Sequence, residues 1–196
     1  MPIKVDLMEH IAELRHDLAG LEQHTATLEG LAAAVLNAIR DGKKLLTCGN
    51  GGSAAEAAHL AEELTGRFYR ERPSLPGICL ATDGSLLTCI GNDYGFDEIF
   101  ARQVQSLGQP GDVLVGFTTS GNSENVIRAL HAGRARGLVT GLFSGKTGGR
   151  SRGLADYEII VQSANPSSMR VQECHQLLMH VLCEMVEVAY MELPSP

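Results

Sequence analysis

Apolar residues in the first 40 positions recur at alternating steps of four and three, which is the spacing of one helix face. Gly20 and Gly30 could divide this stretch into two helices, and the helical pattern stops at Gly42, a residue type that commonly ends helices. Because so long a stripe exceeds what a small domain covers by itself, we predict that it pairs helices between subunits. Packing on its own domain is the alternative. The stripe consists of Leu7, Ile11, Leu14, Leu18, Leu21, Thr25 and Leu28.

Beyond residue 42 the pattern changes to short apolar runs that alternate with helical ones. Such alternation predicts parallel strands covered by helices on both faces, a three-layer α/β fold. In sheets of this kind, ligands bind outside the carboxyl ends of the strands. The predicted strands are 43–48, 76–82, 112–120, 138–145 and 157–163, and a long helix is predicted from 170 to 192.

The chain shows no linker, internal repeat or low-complexity tract. We therefore predict one domain over residues 1–196, in which a helical segment, 1–41, serves oligomer packing and residues 42–192 form the α/β core.

Composition narrows the class of protein further. The 196 residues are 44% hydrophobic and 20% charged, which is typical of a soluble globular chain, and no apolar run is long enough to span a membrane. The net charge of −7 argues against nucleic acid or anionic membrane as a partner. Five cysteines without a C-x-x-C pair argue against a disulfide framework and a cysteine-based zinc site, and favour the cytoplasm.

Two predicted strands end in loops rich in glycine and hydroxyl groups, residues 49–53 (GNGGS) and 118–123 (TTSGNS). Turned backbone N–H groups and the following helix N-terminus bind anions, so these loops indicate a phosphate pocket. Neither loop matches the P-loop or the complete dinucleotide fingerprint. Ser53 and Glu56 also fit an S-x-x-E capping box, which predicts that Ser53 caps the next helix.

The helix after Ser53 places Glu56, His59 and Glu63 on one face, at steps of three and four. A carboxylate and an imidazole at this spacing could bind a divalent metal. A solvent-exposed helix face is the ordinary interpretation of such a pair.

The last predicted helix carries a second set of nitrogen and oxygen donors. Gln172, Gln176 and His180 share a face at steps of four, and Glu173 and His175 lie near the polar start of the helix. A buried, hydrogen-bonded histidine is the alternative interpretation of His180. Spacing alone does not choose the ligands among these residues, nor does it show that the two helices meet.

Four stretches together resemble the phosphoheptose isomerases of the sugar isomerase (SIS) family. They are residues 48–68 (CGNGGSAAEAAHLAEELTGRF), 91–104 (GNDYGFDEIFARQV), 111–130 (GDVLVGFTTSGNSENVIRAL) and 170–180 (RVQECHQLLMH). The resemblance extends from about residue 40 to 190. It implies a flavodoxin-like, five-stranded parallel sheet, a homotetramer, and conversion of sedoheptulose 7-phosphate into D-glycero-D-manno-heptose 7-phosphate.

The resemblance also implies one Zn²⁺ per subunit and a set of site residues. The implied zinc ligands are His59, Glu63, Gln172 and His180. The implied substrate-binding residues are Asn50, Gly51, Gly52, Ser53, Glu63, Asn92, Asp93, Thr118, Thr119, Ser120, Ser123 and Gln172.

Ketose–aldose isomerisation moves a proton between neighbouring carbons through an enediol, which requires a base and an acid. The resemblance assigns these roles to Glu63 and His180. The alternatives are a non-catalytic SIS protein of the type that binds the replication initiator, a metal-free sugar-phosphate sensor, and an isomerase of another sugar phosphate.

Overall fold

The computed structural model describes residues 5–163, 165 and 167–192, so the ends of the predicted domain, 1–4 and 193–196, lie outside the described residues. The α-helices are α1 (Leu7–Ala19), α2 (Thr25–Arg40), α3 (Gly52–Thr65), α4 (Gly84–Tyr94), α5 (Ala101–Leu107), α6 (Glu124–Ala135) and α7 (Ser168–Met191). The strands are β1 (Leu45–Gly49), β2 (Gly77–Cys79), β3 (Val113–Thr118), β4 (Val139–Gly145) and β5 (Tyr157–Val161).

The five strands form one sheet in the order β2-β1-β3-β4-β5, and every neighbouring pair is parallel. Each lies within or next to a predicted apolar run, so the predicted fold class is confirmed. Helices α4 and α5 were not predicted, because the stretch from 84 to 107 mixes glycine and polar residues with its apolar ones.

Helices cover both faces of the sheet, because successive strand residues point to opposite sides. On one face, α2, α3 and α7 pack on a core that includes Leu45, Val115 and Phe143. On the other face, α4, α5 and α6 pack on a core that includes Leu46 and Leu114. The three-layer arrangement therefore follows from the strand pattern.

The N-terminal stripe divides at Gly20, which ends α1, whereas Gly30 lies inside α2 against the ring of Tyr157. In α2 the buried residues include Leu28, packed on the chain's own sheet face. In α1 the stripe begins with Leu7, whose exposed fraction is 69%. The part of the stripe that its own chain leaves uncovered is thus the start of α1.

The chain crosses from β1 to the outer strand β2 and then returns to β3 on the other side of β1. This reversal opens a crevice at the carboxyl ends of β1 and β3, where such sheets bind ligands. The turns that follow these two strands begin at Asn50 and Thr119. Within the described residues, no helix is long and apolar enough to cross a membrane.

Candidate functional site

A cavity of about 400 Å³ lies at the crevice between the ends of β1 and β3. Both glycine- and hydroxyl-rich loops contribute to its wall, as the sequence predicted. The lining residues are Asn50, Gly52, Ser53, Phe117, Thr118, Thr119, Ser123, Ser168 and Gln172.

Three helices begin at this cavity. Gly52 starts α3, Ser123 is the N-cap residue of α6, and Ser168 starts α7. The N-terminus of each helix carries a partial positive charge and free backbone N–H groups. No lysine or arginine is among the lining residues, so an anion in the cavity would be held by neutral donors and helix dipoles.

Hydrogen bonds between loops hold the polar side chains of the cavity in place. Asn50 exchanges two amide hydrogen bonds, of 2.8 and 2.9 Å, with the buried Asn125 of α6. The hydroxyl groups of Thr118 and Ser123 lie 3.1 Å apart. The Thr119 and Ser168 hydroxyl groups are 3.0 Å apart and join β3 to the start of α7. The donors are therefore arranged before any ligand enters.

The predicted capping box is wrong. The N-cap residue of α3 is Gly51, whose φ of +56° favours glycine, and no side chain caps this helix. Ser53 lies inside the first turn and lines the cavity. Glu56 is buried instead of reaching back to the cap, and its Oε2 lies 3.7 Å from Nδ1 of the buried His175. The loop geometry, which needs a positive φ at Gly51, decides where the helix starts.

A second group of polar side chains lies further along α3 and α7, and we call His59, Glu63 and His180 the His–Glu cluster. One donor atom from each of the three lies within 4.8 Å of the other two. Nε2 of His59 is 3.0 Å from Oε1 of Glu63, and both side chains are partly exposed. Two imidazoles and a carboxylate at this separation are a ligand set that suits zinc or a similar divalent ion.

The structure separates the two glutamines that share a face with His180. Gln172 lies over Gly52, where any side chain would collide with its amide, and it lines the cavity. Among the described residues it makes no hydrogen bond to the cluster. Gln176 lies one turn further along, with Nε2 2.8 Å from His59 Nδ1 and 3.0 Å from His180 Nε2. Of the predicted metal ligands, His59, Glu63 and His180 are thus together, whereas Gln172 lies about two turns before His180 on α7.

Residues of α7 and of the loop after α3 lie near the cluster. The ring of Phe68 lies 5.9 Å from that of His180. Arg72, which is buried, donates to the backbone oxygens of Glu63 and Leu64 at 2.6 and 2.8 Å and so fixes the end of α3. Burial raises the pKa of the Cys183 thiol to about 12, and the charge of Glu63 acts in the same direction, so this thiol stays protonated.

Five of the predicted substrate-binding residues do not line the cavity, and one of these, Glu63, belongs instead to the His–Glu cluster. Gly51 and Ser120 belong to the loops behind it, and the Ser120 hydroxyl accepts from the backbone N–H of Asn122. Asn92 and Asp93 lie at the exposed end of α4, where their side chains bond to each other at 2.8 Å. Gly51, Ser120, Asn92 and Asp93 therefore contribute nothing to the lining of the cavity.

Sequence reasoning missed several residues of the site. Phe117 and Ser168 line the cavity, Asn125 orients Asn50, and Phe68 covers His180. Ser168 and Asn125 each stand at the start of a helix, which is a signal for polar groups near an anion site. For Phe68 and Phe117 the sequence has no such signal, because their partners come from distant segments.

Residues 9–144 match the family model described as SIS domain. A phosphoheptose isomerase of Aquifex aeolicus is 52% identical over 170 residues, which are 87% of this chain and 88% of the relative. One of a Nitratiruptor species is 45% identical over 188 residues, 96% of this chain and 98% of the relative. The solved structure of phosphoheptose isomerase from Neisseria gonorrhoeae has a TM-score of 0.85 at 39% identity, covering 93% of this chain and 97% of that one.

Proposed function

Because the chain belongs to the phosphoheptose isomerases of the SIS-domain family, we propose that it converts sedoheptulose 7-phosphate into D-glycero-D-manno-heptose 7-phosphate for heptose biosynthesis. The observation that carries the proposal is that the cavity and the His–Glu cluster lie on the same pair of helices. The starts of α3 and α7 line the cavity, and the His–Glu cluster lies further along both. Ser53 and His59 are six residues apart on α3, which is about 9 Å along a helix. A seven-carbon sugar phosphate is of similar length.

The phosphate is proposed to occupy the cavity. Three helix N-termini and the hydroxyl groups of Thr118, Thr119, Ser123 and Ser168 supply its donors. Gln172, which lies over Gly52, stands between the cavity and the cluster and is proposed to bind the sugar hydroxyls. Binding energy gained at the phosphate end positions the reacting carbons. The enzyme can therefore hold the reacting end of the sugar less tightly than the phosphate end.

The cluster fits a divalent metal, and zinc is the proposed ion. His59, Glu63 and His180 would hold it, with one nitrogen or oxygen donor each. Gln172 was implied as a fourth ligand, and it lies about two helical turns before His180 on α7. When bound, the ion supplies Lewis-acid polarisation of the substrate oxygens.

Glu63 and His180 are the proposed base and acid. Glu63 removes a proton from C1 of the ketose and returns it to C2 of the enediol, while His180 moves the proton between the two oxygens. The Glu63 carboxylate is only partly exposed, and its Oε1 lies 3.0 Å from Nε2 of His59. It is thus oriented by a neighbouring ring instead of being free in solvent.

Oligomeric state, location and the remaining substrate contacts are proposals as well. We propose a homotetramer whose contacts involve the exposed start of α1, as part of the helical segment 1–41. Asn92 and Asp93 do not line the cavity, so we propose that they contact substrate across a subunit contact. A cytoplasmic location agrees with the five cysteines, all of which are free thiols.

The experiment is an isomerase assay on the purified protein. Sedoheptulose 7-phosphate is added and the aldose is followed by chromatography, with fructose 6-phosphate as the competing substrate. We expect turnover of the heptulose and little of the hexose. Binding without turnover would instead indicate a sensor or binding module, and preference for the hexose a different isomerase. Metal analysis of the same preparation tests the zinc proposal, for which one ion per chain is expected.

A further inference from the structure

Gln176 lies between the residues that α3 contributes to the His–Glu cluster and the residue that α7 contributes. Helices α3 and α7 run side by side, and their contacts ascend together from Gly52 and Gln172 to His59 and Gln176. The amide nitrogen of Gln176 lies 2.8 Å from His59 Nδ1 on α3 and 3.0 Å from His180 Nε2 on its own helix. One side chain therefore contacts both imidazoles.

These contacts indicate which ring nitrogen of a neutral His59 carries the proton. Nε2 of His59 faces the Glu63 carboxylate at 3.0 Å, and an ionised carboxylate only accepts hydrogen bonds. The ring proton of a neutral His59 is therefore on Nε2, and Nδ1 accepts an N–H of the Gln176 amide. The second amide N–H faces Nε2 of His180, so the lone pair of that nitrogen is also occupied.

A metal ion bound through the nitrogen of His59 that faces Glu63 would require the opposite arrangement. The nitrogen of His59 that faces Glu63 must offer its lone pair, so the ring proton must move to Nδ1. Imidazoles that bind metals almost always donate their other N–H to an oxygen acceptor. The group next to His59 Nδ1 is the Gln176 amide, which becomes an acceptor when half a turn of its terminal torsion exchanges Oε1 and Nε2.

We propose that Gln176 is a positioning residue of the metal centre, which sets the tautomer of His59 by reversing its amide. In one orientation the amide N–H groups occupy His59 Nδ1 and His180 Nε2. In the other, Oε1 accepts the N–H of His59 Nδ1, and both the His59 Nε2 and the His180 Nε2 lone pairs are free for the ion. The inference rests on the metal site of the proposed function and adds a residue that the family resemblance did not imply.

Zinc affinity, measured on full-length protein by competition with a chromogenic chelator, tests the proposal apart from activity. Gln176→Leu removes the acceptor and is expected to weaken zinc binding by about 10- to 100-fold. Gln176→Glu keeps an acceptor for His59 Nδ1–H and is expected to bind zinc at least as tightly as the wild type. Gln105→Leu, the same substitution at an exposed position of α5, is the matched control and should change nothing.

A second measurement covers the case in which Gln176→Leu does not fold. In the ¹⁵N spectrum of wild-type protein, we expect His59 to carry its proton on Nε2 without metal and on Nδ1 with zinc. The proposal is overturned if Gln176→Leu folds and binds zinc like the wild type, if Gln176→Glu is as weak as Gln176→Leu, or if zinc-loaded His59 is protonated on Nε2. Wild-type protein that does not bind zinc at all overturns the metal site itself, together with this inference.

Discussion

Glu62 and Glu63 are neighbours on α3 whose side chains point in different directions. Glu63 faces His59 and the cluster, whereas Glu62 is exposed on the other side of the helix. This difference follows from the helical step of about 100° per residue, and it makes Glu62 a matched control for Glu63.

Glu63→Gln keeps the shape of the side chain but removes the proposed base. Because general bases contribute about 100- to 10,000-fold to rate, we expect a loss of that order in kcat for sedoheptulose 7-phosphate. Glu62→Gln should leave kcat close to the wild-type value. Comparable turnover by the Glu63→Gln variant would remove Glu63 from the mechanism.

Thr119 and Ser120 are likewise neighbours with different positions. Thr119 lines the cavity, but the Ser120 hydroxyl belongs to the turn behind it. Thr119→Val removes one hydrogen bond to a charged phosphate, worth about 1.5 kcal/mol or more, and should raise KM by about 10-fold with a smaller change in kcat. Steady-state kinetics of Ser120→Ala supply the control, and equal KM values for both variants would place the phosphate elsewhere.

At the level of elements, the end of α3 depends on a buried ion pair with α7. Arg72 and Glu187 are almost fully buried, and their nearest charged atoms are 3.3 Å apart. Glu187 also accepts from the backbone N–H groups of Tyr69 and Arg70, at 3.3 and 3.0 Å. The pair therefore ties the loop after α3 to the last helix.

Arg72→Met leaves the Glu187 charge buried and unpaired. We expect the free energy of unfolding to fall by about 3–5 kcal/mol, measured by urea denaturation. The double variant Arg72→Met/Glu187→Met removes both charges and should recover part of the loss. A double variant less stable than Arg72→Met would show that the loop contacts of Glu187 matter more than its charge.

His24, just before α2, makes the stability of this element depend on pH. Burial lowers the pKa of His24 below its ordinary value of 6.5, although a hydrogen bond with the backbone of Ile160 acts in the other direction. Below pH 6.5 the unfolded chain binds a proton that the folded chain does not, so the free energy of unfolding falls as the pH decreases. We expect His24→Phe to lose less stability than the wild type between neutral and mildly acidic pH, in urea titrations at each pH. An unchanged pH dependence would contradict this assignment.

At the level of the whole molecule, the exposed start of α1 is the surface on which the proposed tetramer depends. Leu7 and Met8 are 69% and 67% exposed, although they belong to an apolar stretch of the helix. Exposed apolar surface of this kind is typical of subunit contacts. The proposed tetramer thus has a specific region that mutation can disrupt.

Leu7→Lys combined with Met8→Lys should reduce the assembly to smaller species, because two charges would be buried in the proposed contact. Light scattering after size-exclusion chromatography measures the mass. Glu9→Lys, at an exposed polar position of the same helix, should keep the wild-type mass. A double variant that remains tetrameric would place the contact on another surface.

The sequence by itself determined the fold class and the two loops of the cavity. Strand residues that are apolar on both faces can only be buried in a parallel sheet between helices, and a glycine-rich turn needs no distant partner to form. The helical period likewise placed His59 and Glu63 on one face. The order of the strands, the packing of α3 on α7 and the meeting of Gln176 with both imidazoles were decided only by the tertiary structure. All three features depend on contacts between segments far apart in the sequence, about 120 residues for Gln176 and His59. No local pattern encodes which of several polar residues on one helix will face the other helix.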